Sequence, residues 1–218
     1  MPRGRMRSKT EKRARFAGYG TAYTQNPGLA GQWRAQFAHP DRPLVLEVGT
    51  ARGEFLLGLA QLLPERNYVG LERKGERLYH IARDAEALGL TNLRLLREDA
   101  YVLGEVFAPG EVDQIWITFP DPYPKDRHAK HRLTGPHYLA QYRKVLAPGG
   151  WVDLKTDSAT LFAFTLETLA EVGLAPERQT DNLHQSPWLD AETGTLTGYE
   201  RRFLAEGLPT HYLRFRFA

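Results

Sequence analysis

The sequence predicts an α/β fold in which helices cover both faces of a mostly parallel sheet. From about residue 43 to residue 173, short apolar runs alternate with longer segments whose apolar side chains recur every three or four residues. This alternation is typical of parallel strands joined by helical crossovers. Glycine or proline stands where several of the helical segments should end. We therefore expect one open, doubly wound sheet.

The individual elements follow from these runs. Five parallel strands are predicted at 43–49, 67–72, 92–98, 112–119 and 151–156. Helices are predicted at 54–63, 75–88, 136–146 and 158–172. The alternating segments TGYERRF and THYLRFRF, at 197–203 and 210–217, predict a C-terminal antiparallel pair at the sheet edge. The expected sheet therefore has seven strands.

Length and composition favour a single domain. A chain of 218 residues, with 42% hydrophobic and 25% charged residues, can bury one full core. We expect this domain to cover residues 43–218, preceded by a basic, partly flexible extension at residues 1–42. The sequence has neither an apolar run of about 18 residues nor an apolar stretch after its basic N-terminus. We expect a cytoplasmic protein, monomeric or homodimeric, with no membrane or protein partner.

The chain contains no cysteine. This excludes disulfides, thiolate metal sites, iron–sulfur clusters and cysteine nucleophiles, and no metal is expected. The net charge is only +3, but the pI of about 9.1 suggests an anionic partner. The first 16 residues can be either a solvated tail or an RNA-binding arm. Their basic residues, opposed by Glu11 alone, are Arg3, Arg5, Arg7, Lys9, Lys12, Arg13 and Arg15.

Acidic residues end or follow three of the predicted strands. Glu47 lies in the first strand, just before a turn that contains Gly49 and Gly53; Glu72 ends the second strand and Asp99 follows the third. Ligands of open α/β sheets bind at this edge, and a carboxylate after the second strand commonly accepts hydrogen bonds from ribose hydroxyls. Negative charge beside the turn repels a pyrophosphate but suits a cation. The triplet therefore favours S-adenosylmethionine (SAM), with its sulfonium, ammonium and ribose.

The stretch FPDPYPKDRHAKHRL, residues 119–133, has the second distinctive pattern. Asp121 lies between two prolines, which restrict the backbone and fix its position. A dense group of bases follows it, as expected of a surface that binds a phosphate backbone. Two histidines three residues apart, with no cysteine, make a poor zinc site. The bases are Lys125, Arg127, His128, Lys130, His131 and Arg132.

These segments resemble the bacterial tRNA (guanine-N7)-methyltransferase family. The resemblance depends on LEVGTARGEF, VGLE, EDA, FPDPYPKDRHAKHRL, KTD and TGYE, which follow one another from about residue 44 to residue 200. It implies a class I SAM-dependent methyltransferase fold and methylation of guanine 46 in the tRNA variable loop. In this family a glycine usually stands at Ala51, a tryptophan at Tyr123, a third consecutive base at His131, and lysine and phenylalanine at Gly198 and Tyr199.

The resemblance also implies a role for each matching residue. Asp121 is the active-site residue. The SAM-binding residues are Glu47, Gly49, Gly53, Glu72, Asp99, Ala100 and Asp121. The substrate-binding residues are Lys125, Arg127, His128, Lys130, Arg132, Asp157, Thr197, Gly198, Tyr199 and Glu200.

Two alternatives remain open. A SAM-dependent methyltransferase for another RNA site, or for a substrate other than RNA, would share the cofactor residues and differ only after Phe119. A non-catalytic RNA-binding module on the same fold is disfavoured by the four carboxylates Glu47, Glu72, Asp99 and Asp121. Binding of SAM would separate an enzyme from such a module.

Overall fold

The structure is a computed structural model that describes residues 8–217, and the N-terminal Arg3, Arg5 and Arg7 lie outside this range. One eight-stranded sheet has the order β1-β4-β3-β2-β5-β6-β8-β7. Strands β1 to β6 are parallel, whereas β8 is antiparallel to both of its neighbours. The strands are β1 Ala22–Thr24, β2 Leu44–Val48, β3 Asn67–Leu71, β4 Leu93–Arg97, β5 Val112–Thr118, β6 Leu146–Thr156, β7 Arg178–Thr180 and β8 His211–Phe215.

The helices cover both faces of the sheet, as predicted. Side chains of α1, α2 and α3 form one apolar core against one face, and side chains of α4, α5 and α6 form a second core against the other. No helix in residues 8–217 is long and apolar enough to cross a membrane. The helices are α1 Lys9–Phe16, α2 Glu54–Leu62, α3 Gly75–Ala87, α4 Leu103–Val106, α5 Pro136–Val145, α6 Ala159–Glu171 and α7 Gly198–Ala205.

The five predicted parallel strands and four predicted helices are all present, which confirms the fold class. The prediction of the C-terminal antiparallel pair is correct for β8 and wrong for its partner. Residues 198–205 form α7, and the partner of β8 is the short strand Arg178–Thr180. Thr197 caps this helix, because its hydroxyl accepts a hydrogen bond from the Glu200 N–H at 2.9 Å.

A further strand that the sequence does not predict is β1, which lies in the segment before residue 43 where no regular structure is expected. Residues 22–24 pair with β4 and form one edge of the sheet. Just before them, α1 packs on α3, and its Phe16 is fully buried. Both elements are short, which is why hydrophobic periodicity did not reveal them.

Candidate active site

A cavity of about 350 Å³ lies at the carboxyl ends of the central strands. Four carboxylates line it: Glu72 follows β3, Asp99 lies beyond β4, Asp121 beyond β5 and Asp157 beyond β6. β3 and β4 lie on one side of β2, and β5 and β6 lie on the other, so the strand order reverses at β2. Open α/β sheets bind ligands at such a reversal, and the cavity lies there. The structure thus brings together four of the residues that the sequence assigns to the site.

Glu72 is held rigidly beneath the glycine turn. Its carboxylate accepts hydrogen bonds from the backbone N–H groups of Ala51 at 3.2 Å and Lys74 at 3.0 Å, and from the guanidinium of Arg77 at 3.1 Å. A carboxylate has about four acceptor positions, which leaves room for one further donor. Ala51 has a φ of 48°, a left-handed conformation that glycine adopts more easily. This explains the physical advantage of glycine at position 51.

Asp99 lies on the same side of the cavity. Its carboxylate accepts hydrogen bonds from the Tyr101 N–H at 3.0 Å and from the Arg73 guanidinium at 3.1 Å. The hydrogen bond to Asp99 and its charge raise the pKa of Arg73. The next residue, Ala100, is buried and also lines the cavity. We call this half, bounded by Glu72, Asp99 and Ala100, the β3–β4 half.

Three basic residues that the sequence analysis does not assign to the site also line this half. Arg73, Lys74 and Arg77 follow Glu72 directly or lie one turn into α3. The rim therefore carries charges of both signs, and Glu72 and Asp99 are paired with arginines. The GLERKGER segment contains these bases, but only the folded turn places them in the cavity.

Asp121 occupies a strained corner on the opposite side. The flanking aromatic residues Phe119 and Tyr123 have φ values of 47° and 44°, a conformation that is rare for side chains of this size and is found mainly at functional sites. The Asp121 side chain is exposed and has no hydrogen-bond partner within residues 8–217. Its carboxylate therefore lies free at the mouth of the cavity.

Arg132 holds this corner in place. Its guanidinium donates hydrogen bonds to the backbone oxygens of Pro122 at 3.2 Å and Tyr123 at 2.9 Å, and it lies 4.4 Å from the centre of the Phe164 ring. Arg132 is only 4% exposed. The predicted contact of Arg132 with substrate stays a prediction, and in this structure its Nε and Nη2 groups donate to backbone oxygens of the corner.

Aromatic side chains form the other walls near Asp121 and Asp157. Phe119, Tyr123, Tyr199 and Phe203 all line the cavity, and the rings of Phe119 and Phe203 are 6.0 Å apart. Tyr199 is 45% exposed, so one side of its ring remains accessible. We call this half, bounded by Asp121, Asp157 and the aromatic rings, the β5–β6 half.

The start of α7 is anchored by a buried ion pair. The Glu200 carboxylate accepts hydrogen bonds from the Lys155 ammonium at 2.6 Å and from His184 Nε2 at 2.9 Å, and both Glu200 and Lys155 side chains are 0% exposed. Lys155 also donates to the Thr193 and Thr195 carbonyl oxygens. Burial lowers the pKa of Lys155, and Glu200 opposes this effect.

Several groups of residues 197–200 already have partners inside the protein. The Thr197 hydroxyl caps α7, the Gly198 N–H donates to the Glu54 carboxylate, and the Glu200 carboxylate is enclosed by its partners. Of these four residues, Tyr199 lines the cavity. The segment therefore orients Tyr199 and does not present a row of hydrogen-bond acceptors.

Glu47 does not line the cavity. It lies inside β2, 1% exposed, where one oxygen accepts a 2.6 Å hydrogen bond from the Thr118 hydroxyl and the other has no partner within the described chain. Burial raises the pKa of Glu47 to about 7. Gly49 does line the cavity. Gly53 packs instead on α3, because a Cβ there would lie 2.5 Å from Ile81.

The remaining bases form a basic ledge, which we define as Lys125, Arg127, His128 and Lys130. They lie in or just before a short 3-10 helix, Asp126–His131, next to the Asp121 corner. Within residues 8–217, none of them forms an ion pair with a carboxylate. His131 turns towards the cavity and lines it. The ledge therefore borders the β5–β6 half.

Solved structures identify the class of this fold. The 16S rRNA methyltransferase KamB superposes with a TM-score of 0.63 at 20% identity, covering 85% of this chain and 90% of that one. TrmN from Thermus thermophilus gives a TM-score of 0.58 at 23% identity, covering 81% of this chain and 45% of that one. The fold is that of the class I SAM-dependent methyltransferases.

Sequence relatives identify the family. The family model described as "Putative methyltransferase" matches residues 41–213. A relative from Cytophaga hutchinsonii is 43% identical, over 86% of this chain and 85% of its own length. One from Listeria monocytogenes serotype 4b is 36% identical over 98% of both chains. Both are named tRNA (guanine-N(7)-)-methyltransferase, and this chain belongs to the same family.

Proposed function

We propose that this protein transfers a methyl group from SAM to N7 of a guanine in tRNA, and that this guanine is position 46 in the variable loop. The family membership supports the reaction. The observation that carries the proposal is the two-sided cavity. Its β3–β4 half holds Glu72, a hydrogen-bonded carboxylate suited to ribose hydroxyls, and its β5–β6 half holds the free carboxylate of Asp121 among aromatic rings. The basic ledge beside it suits a polyanionic substrate.

The β3–β4 half fits SAM. Glu72 keeps one acceptor position for a ribose hydroxyl, while Val48, Leu71, Ala100 and Tyr138 provide apolar surface for a base. The cavity volume of about 350 Å³ lies within the range of small-molecule sites. SAM, when bound, supplies an electrophilic methyl group on a sulfonium.

The β5–β6 half suits guanine. N7 carries a lone pair at neutral pH, so the reaction needs no base to generate the nucleophile, and alignment is the main catalytic task. Methylation gives the purine a positive charge, which the fixed carboxylate of Asp121 stabilises. In this proposal Asp157, which also lines the cavity, accepts hydrogen bonds from the N–H groups of the guanine edge. Tyr123 and Tyr199 offer ring faces for a base that has left its stack.

Unmodified tRNA, incubated with the protein and methyl-labelled SAM, tests this function. Digestion of the tRNA to nucleosides should place the label in N7-methylguanosine. A transcript with adenine in place of guanine 46 serves as the control and should take up no label. Label in another nucleoside, or in no nucleoside, would contradict the proposed reaction. Equal labelling of the control transcript would contradict the proposed position.

A further inference from the structure

The N-terminal helix α1 carries cations in fixed positions. Ser8 and Glu11 form reciprocal hydrogen bonds at its start, with distances of 2.7 Å and 3.2 Å. Phe16, at its end, is fully buried in the core shared with α2 and α3. The helix is therefore docked on α3, and its bases, which include the half-buried Lys12 and the exposed Arg13, belong to an anchored element.

Basic side chains from three elements converge at the start of α3. A Cβ placed on Gly75 would lie 3.1 Å from Arg13 Cγ and 3.2 Å from Arg97 Cδ, so both side chains pass over this glycine. The Arg97 guanidinium donates at 3.4 Å to the Arg73 backbone oxygen. Lys74 precedes Gly75, and Lys12 lies near His80, where its charge helps to lower the His80 pKa after the larger effect of burial.

These bases are not neutralised within the described chain. Lys12, Arg13, Lys74 and Arg97 form no ion pair with any carboxylate in residues 8–217. Like charges held close together repel one another, and an anionic partner relieves this repulsion. We call these four residues the α1–α3 surface.

A groove of about 500 Å³, lined mainly by charged residues, lies between α3 and the active site. His80 and Arg83 of α3 line the groove together with Arg52. Ala51, Arg77 and Tyr199 line both the groove and the catalytic cavity. Two groove carboxylates have partners inside the protein, since Asp84 pairs with Arg83, and Glu54 with Arg201.

The α1–α3 surface and the basic ledge therefore lie on opposite flanks of the catalytic cavity. The first adjoins the ends of β3 and β4, and the second follows β5. We propose that the α1–α3 surface binds backbone phosphates of the tRNA substrate, so that the RNA is held on both flanks of the site. This inference rests on the proposed tRNA substrate.

The charge-removing double variant Lys12→Gln/Arg13→Gln tests the inference. Fluorescence anisotropy with labelled tRNA, over a range of salt concentrations, should show weaker binding and a salt slope of log K that is shallower by about 1.5, since each phosphate contact contributes roughly 0.7 to 0.9. The KM for tRNA should rise, while kcat at saturating tRNA and calorimetric affinity for SAM should stay as in the parent protein.

A matched control removes two exposed bases elsewhere. Arg143 and Lys144 lie in the last turn of α5, just before β6 begins. They are therefore near the amino ends of the strands, at the end of the sheet opposite the cavity. The control variant Arg143→Gln/Lys144→Gln should leave the salt slope unchanged. If the test and control variants bind tRNA equally, the α1–α3 surface is not a phosphate site, and the proposed function still stands. A loss of binding in the test variant alone supports the proposal that the α1–α3 surface binds phosphates. If the parent protein binds tRNA but does not methylate it, the proposed function fails, and the binding comparison still tests the surface.

Discussion

Asp121 combines an exposed carboxylate with a backbone that the protein strains to position it. Left-handed conformations at Phe119 and Tyr123 each cost on the order of 1–3 kcal/mol. Arg132, through its hydrogen bonds to Pro122 and Tyr123, offsets part of this cost and keeps the corner from relaxing. The position of Asp121 therefore depends on Arg132, a side chain buried behind the corner.

Asp121→Asn should lower kcat on tRNA by about 100-fold or more, because it removes the negative charge that favours the cationic product while keeping the side-chain shape. Affinity for tRNA should change little. Steady-state methylation and anisotropy measure the two effects. Asp126→Asn, a nearby exposed carboxylate that does not line the cavity, is the control. Near-normal turnover in Asp121→Asn would remove this residue from the catalytic machinery.

Glu47 should make folding stability depend on pH. Burial raises its pKa from 4.5 to about 7 in the folded chain, so between these values the folded state retains a proton that the unfolded state releases. This stabilising contribution is complete below about pH 4.5 and is lost as the pH rises through 7. The Tm of Glu47→Gln, relative to the parent protein, should therefore increase from pH 5 to pH 8.

Thermal unfolding without ligand, followed by circular dichroism, measures this effect. Glu65→Gln, which alters a carboxylate with a 62% exposed side chain, is the control. Parallel pH profiles for Glu47→Gln and the parent protein would mean that the pKa of Glu47 does not differ between the folded and unfolded states.

At the scale of elements, α7 depends on charges buried beneath it. Removing one partner of a buried ion pair leaves the other charge without compensation and costs about 3–5 kcal/mol. Lys155→Met and Glu200→Gln should each destabilise the protein by this amount. The double variant should lose less than the sum, because it leaves no unpaired charge.

Denaturant unfolding measures this non-additivity. Arg202→Met interrupts the exposed Arg202–Glu206 pair on the same helix and should have only a small effect. Additive losses in the double variant would show that Lys155 and Glu200 stabilise the protein independently.

Much of the secondary structure can be predicted from the sequence. The four long helices begin or end within one residue of their predicted limits, because their apolar periodicity agrees with the packing that they adopt. The segment after Thr197 forms a helix although its short alternation predicts a strand. A better signal was present: Thr197 followed three residues later by Glu200 is the spacing of a helix N-terminus.

The site was harder to predict than the fold. The order of the strands places Glu72, Asp99 and Asp121 at one end of the sheet, and the resemblance adds Asp157; all four line the cavity. The sequence could not reveal which charged groups point inwards. Arg132 and Glu200 have the sequence context of surface residues, yet tertiary contacts bury both of them.

At the scale of the whole molecule, a modest net charge conceals an uneven distribution. The basic ledge should account for part of the tRNA affinity. Lys125→Gln/Arg127→Gln/Lys130→Gln should weaken tRNA binding and make the salt slope of log K shallower by about 2 to 3. Anisotropy titrations across salt concentrations provide the measurement.

Arg132→Gln provides the comparison, because it removes the same kind of charge from a buried position in the same segment. We expect it to reduce kcat by loosening the Asp121 corner, with little change in the salt slope. A ledge variant with unchanged salt dependence would show that the ledge does not contact phosphates.

The two outermost strands, β1 and β7, are each only three residues long. They leave few unpaired backbone groups through which a second molecule could extend the sheet. A chain shortened to begin after Thr24 would expose Leu93–Arg97, a five-residue strand, as an open template for intermolecular pairing. We therefore expect β1 to protect the sheet against edge-to-edge pairing with a second molecule.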